Sequence, residues 1–194
     1  ASMAGSVADP RVDAVFVARG LRSPDHDQRL DLDGELRCSF ADGAVKLRAK
    51  QVTTGAVVAD TRVRWQGDLR RVGEVTEGAL PVRGSADVKL SGFPLEVVPF
   101  LADRQVTGKL SGDVKLVDWG RDARLEAELG SSGLSVSRVP VSELRFKART
   151  EREQLLGELF LRTGQGETQA TLSAGMRWGA QAAPELTKSG VVSV

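Results

Sequence analysis

The sequence predicts an all-β, antiparallel protein. Hydropathy alternates with a period of two through run after run, glycine-containing breaks separate the runs, and the second face of each run is heavily charged. A strand with one apolar and one charged face belongs to an antiparallel sheet that is wet on one side.

Taken in chain order, the first ten residues, "ASMAGSVADP", read as an irregular remnant with a Met behind Ala-Ser. From Leu30 to Phe40 the even positions are Leu30, Leu32, Gly34, Leu36, Cys38 and Phe40, and the odd ones Asp31, Asp33, Glu35, Arg37 and Ser39. Residues 57 to 65 place Val57, Ala59, Val63 and Trp65 on one side. Around 93–105, "FPLEVVPFLADRQ" breaks the alternation. Pro94 suits a helix start, with Leu95, Val98, Phe100 and Leu101 on one helical face, and Pro99 limits the helix to one or two turns. Alternation then resumes in Leu125, Ala127 and Leu129, in Leu144, Phe146 and Ala148, and in Ala170, Leu172, Ala174, Met176 and Trp178. The breaks "ADGA" (41–44), "TTGA" (53–56), "LGSSGL" (129–134) and "TGQGE" (163–167) suit turns that need positive φ, giving about a dozen short strands.

Composition narrows the function. Lys+Arg is 27 and Asp+Glu 26, a formal net charge of +1, so the excess of clustered positive charge that nucleic acid requires is missing. Arg62, Arg64 and the pair Arg70-Arg71 read as solvated strand faces. No apolar run reaches the length of a membrane-spanning helix, and the N-terminus lacks the basic and apolar regions of a signal peptide. The single cysteine, Cys38, falls on an apolar strand face and reads as a small buried hydrophobe.

Chemistry needs convergent groups, and the sequence offers none. The one histidine, His26, sits in the turn-like "SPDHDQR". "DLDGE" (31–35) resembles the start of a calcium loop, but glycine falls at loop position 4 and Asp42 stands where a glutamate belongs. Neither the dinucleotide nor the phosphate-loop glycine pattern occurs at a strand-to-helix junction. No catalytic residue, cofactor or metal is expected.

The three tryptophans, each with a glycine within two residues, recur at positions 65, 119 and 178, and "DVKL" occurs at 87–90 and again at 113–116. These echoes divide the chain into 11–80, the end of one β-repeat, and 81–180, a second repeat with a helical lead-in; 181–194 begins a further strand or tail. Such repeats bury their apolar face by stacking on neighbours.

The stretch from Pro94 to Gly179 resembles the repetitive β-rich region of the TamB family, within the AsmA-like group. The likeness rests on "FPLEVVPFL" (93–101), on Gly108-x-Leu110-x-Gly112-x-Val114-x-Leu116 with the turn glycine Gly120, and on "RLEAELGSSGLSV", "VSELRFKA" and "LLGELFLRTGQGETQATLSAGMRWG" in that order. It implies an elongated half-pipe sheet, the β-taco, with a hydrophobic concave face and one short helix near 94–102. It also implies a periplasmic protein anchored in the bacterial inner membrane and reaching the outer one. A TamA-like outer-membrane barrel of the Omp85 type would be its partner, and the roles would be outer-membrane protein assembly and phospholipid transport. Phospholipid acyl chains would then lie on Leu110, Val114, Leu116, Leu125, Leu129, Leu144, Phe146, Leu172, Met176 and Trp178. Two other readings fit the alternation: a scaffold that docks a barrel partner by strand addition, and a closed β-sandwich with binding loops.

Overall fold

The computed structural model describes residues 1–6, 9–22, 27–68, 82–119, 123–151, 153–178, 184–186 and 191–193. His26, Arg70, Arg71, Gly120 and the expected repeat boundary at 80/81 lie outside them. Among the described residues, the strands are β1 (Ser2–Ser6), β2 (Asp9–Leu21), β3 (Leu30–Cys38), β4 (Asp42–Gln51), β5 (Val57–Gly67), β6 (Val82–Pro94), β7 (Val106–Trp119), β8 (Arg124–Val136), β9 (Val139–Glu151), β10 (Gln154–Thr163), β11 (Gly166–Trp178), β12 (Pro184–Leu186) and β13 (Val191–Ser193).

They form one antiparallel sheet in which β1 to β12 follow one another in chain order and β13 pairs β11. A meander of this kind needs only hairpin connections. The sheet is open, consistent with an elongated half-pipe, and no second sheet stacks on it among the described residues, which removes the closed sandwich. The accessible surface is 12773 Å². A compact chain of 20.7 kDa would expose only about 8,900 Å².

Register turns the alternation into rows. One row runs Leu32, Ala49, Ala59, Leu90, Gly112, Leu129, Phe146, Leu159 and Ala170 across successive strands. Another runs Leu36, Val45, Val63, Ala86, Leu116 and Leu125. A slip of one residue in any strand would turn its apolar set to the charged side, so each pairing is held by its neighbours.

Between β6 and β7 the chain leaves the sheet as a 3-10 turn (Leu95–Val97) followed by α1 (Pro99–Ala102). Pro99 opens the helix instead of interrupting one, where its missing N–H costs nothing. Leu95 is buried with Leu134 and Val141, and Leu101, Leu110 and Leu144 pack around them. Val97 reaches a second cluster, Leu30, Ala49 and Val58. Phe100, expected on the inner helical face, is 60% exposed and carries the Arg104 guanidinium 4.2 Å above its ring. The two-part helix is too short to keep a single apolar stripe.

Three further expectations are corrected. "LGSSGL" is not a break, because it lies inside β8, where Gly133 (φ 63) absorbs a bulge opposite Gly108. Val57 is 43% exposed and Val58, at 3%, takes the inner place, since a bulge between Ala49 and Lys50 shifts the phase of β5. Residues 2–6, expected to be irregular, form β1 and pair antiparallel with β2, all five side chains being exposed.

Candidate functional site: an open apolar sheet face

Strand parity and register place Leu110, Val114 and Leu116 of β7, Leu125 and Leu129 of β8, Leu144 and Phe146 of β9, and Leu172 and Met176 of β11 on one face. Trp178 follows Met176 at the end of β11 in register with Pro184; nothing further is described of its side chain. Met176 is buried, while the other eight are half-buried. The half-burial has a direct cause: each meets its neighbours within the sheet, and among the described residues no second sheet lies over them. The segment 95–102 covers the end of the face near Leu110 and Leu144, and through Val97 it also packs on Leu30, Ala49 and Val58.

The face extends well beyond the residues expected from sequence. Leu36, Val45, Val63, Ala86, Val88 and Leu90 continue it through β3 to β6. Sequence reads the upstream strands as the end of a preceding repeat, but the expected lining begins only at Leu110.

Aromatic rings on this face sit over cross-strand glycines. Phe16 lies over Gly34, Trp65 over Gly43 and Trp119 over Gly84, each ring occupying the space a Cβ would take. Sequence proximity had suggested the glycines next to the tryptophans; the partner that matters comes from the adjoining strand. The indole nitrogens of Trp65 and Trp119 are buried without a hydrogen-bond partner. In "GKLSG", Gly108 (φ 129) and Gly112 (φ 141) let β7 approach the backbone of β8, where a side chain would strike Leu134 or the Glu128 carbonyl.

The opposite face is a lattice of cross-strand charges. Arg19 and Lys50 donate to Asp33 at 2.7 and 2.8 Å, Arg48 to Asp60 at 3.2 Å, Lys147 pairs Glu128 at 2.9 Å, and Arg162 reaches Glu143 and Glu167 at 2.9 and 2.7 Å. Asp31, Asp33 and Glu35, the false calcium motif, stand opposite Lys50, Arg48 and Lys46. Two open depressions, of about 1510 and 810 Å³, are lined by charged and apolar residues together, Glu35, Arg37 and Trp65 among those of the first and Glu128, Lys147 and Leu172 among those of the second. Among the described residues no group of His, Cys, Asp and Glu could hold a metal. Cys38 is a half-buried free thiol.

No described helix is long and apolar enough to cross a membrane. Comparison of the chain with protein-family models, curated proteins and solved structures found no match.

Proposed function

We propose that the chain is a non-enzymatic periplasmic segment of a TamB-like, envelope-spanning protein whose apolar sheet face shields acyl chains during phospholipid transport between the inner and outer membranes. Outer-membrane protein assembly with a TamA-like barrel belongs to the same reading. One observation carries it: an apolar face continuous across the strands remains half-exposed in a sheet that has no covering layer among the described residues. Each methylene laid on such a face contributes up to about 0.8 kcal/mol, so an acyl chain can be held without any single specific contact. Similar rows along the sheet give similar affinity at each step, which passage along the face requires. The charged face keeps the outside in water.

The test is native mass spectrometry, with lipid extraction, of protein purified without detergent from a bacterial envelope. Bound phospholipid that disappears in Leu116→Asp, with the β-signature in circular dichroism unchanged, supports the reading. A protein that stays free of lipid after incubation with phospholipid vesicles refutes it.

A further inference from the structure

The segment 95–102 rests on the apolar face without belonging to the sheet. Its backbone bonds are local: Val98 donates to Leu95, Leu101 and Ala102 donate to Val98, and Asp103 donates to Pro99. None of these reaches a strand. The sheet holds the segment by side chains, with Leu95 and Leu101 among Leu110, Leu134, Val141 and Leu144, and Val97 against the cluster of Leu30, Ala49 and Val58.

The segment has no rigid frame of its own. A 3-10 turn of three residues and a helix of four meet at Val98, which is extended (φ -89, ψ 112). Pieces this short do not hold their shape in water without a surface to pack on. The segment leaves the ladder after Pro94 and rejoins it through Gln105, a non-glycine residue in the left-handed region (φ 53) just before β7. Element ends of this kind absorb the backbone change of a hinge.

With the segment down, polar groups are poorly matched. Glu96 is a charged residue only 8% exposed, and the one hydrogen bond it accepts among the described residues, from the Gly108 N–H, is long at 3.3 Å. Ser131 stands between Leu110 and Leu144 in register, and its hydroxyl oxygen is buried without a partner. Unmatched buried polar groups weigh against the arrangement that buries them. Lifting the segment returns Glu96 to water and uncovers the face around Ser131.

We infer that the 95–102 segment is a displaceable lid, and that an acyl chain entering the apolar face takes its place on Leu110, Leu134, Val141 and Leu144. This rests on the acyl-shielding reading and adds the regulation of that face. The exchange sets aliphatic contacts against aliphatic contacts, so the lid stays down until a chain arrives. A chain that fits only the uncovered face then shifts the population to the open state.

Electron–electron resonance between two nitroxide labels tests it. In a Cys38→Ser background the labels go on Phe100→Cys, on the outer side of the lid, and on Glu128→Cys, on the charged face of β8. Phe100 is 60% exposed and the Glu128 side chain 72%, so neither change disturbs a buried contact. The probe is oleate below its micellar concentration, and native mass spectrometry of the same samples reads whether it is bound. With oleate bound, the distance between the labels should lengthen by at least about 5 Å, half the spacing between a sheet and a layer stacked on it. Bound oleate with an unchanged distance overturns the lid and leaves acyl shielding standing. A protein that binds no oleate overturns the acyl-shielding reading, and the lid with it.

Discussion

Glycine on this sheet is selected by what lies across from it. At Gly84 a Cβ would overlap the Trp119 indole and stand 2.5 Å from the Arg64 carbonyl oxygen. Gly84→Ala should therefore destabilise the fold by about 1–3 kcal/mol, as overpacking does, in urea unfolding followed by tryptophan fluorescence. Gly164, with open space around it, is the control, and Gly164→Ala should change little. Equal effects at the two positions would remove the cross-strand account. A second residue-scale test concerns Asp33. Hydrogen bonds from Lys50 and then from Arg19 hold its carboxyl below the ordinary value of 3.8. Because the folded pKa is lowered, the stabilisation is present above the unfolded value and is lost as pH falls through the folded one. The stability gap between the parent and Asp33→Asn should be flat near neutral pH and narrow in that acid window. A gap independent of pH would show that the charge of Asp33 does not matter.

Elements follow the alternation wherever phase is kept and depart from it where a bulge or an unmarked turn intervenes. The β8–β9 hairpin turns on Ser137 (φ 49) and Arg138 (φ 69), both left-handed, with neither glycine nor asparagine to announce it. Arg138→Gly should raise stability by about 1 kcal/mol in the same urea experiment, by relieving the left-handed strain. A loss of stability would mean that the Arg138 side chain contributes more than its backbone costs. Strand positions such as Leu30–Cys38 were legible because period two is written in the side chains themselves. The bulge that exchanges Val57 for Val58 was not, since one inserted residue leaves both phases locally plausible to the eye. The 95–102 segment was legible as a departure, and Pro94 and Pro99 set its limits, but the burial of Leu95 against Leu134 and Val141 joins residues distant in the chain.

At the scale of the molecule, each strand from β2 to β10 pairs only with its sequence neighbours among the described residues, so stability accumulates strand by strand as in a repeat array. Hydrogen exchange should accordingly be slowest in β7, β8 and β9, which are paired on both sides and anchored under the 95–102 segment, and fastest in β1, β12 and β13. Uniform protection from end to end would show a single cooperative unit. Sequence by itself determined that this protein is antiparallel β and that each strand has one apolar and one charged face, with Leu110, Val114 and Leu116, Leu125 and Leu129, Leu144 and Phe146, and Leu172 and Met176 on the apolar face of their own strands. Those properties are local, because a side chain's face is set by its parity within its own strand. Tertiary structure alone decided that the sheet stays open among the described residues and that rings cover glycines of the adjoining strand. Each of these depends on register between strands, and register is a relation between separate segments that no single strand encodes.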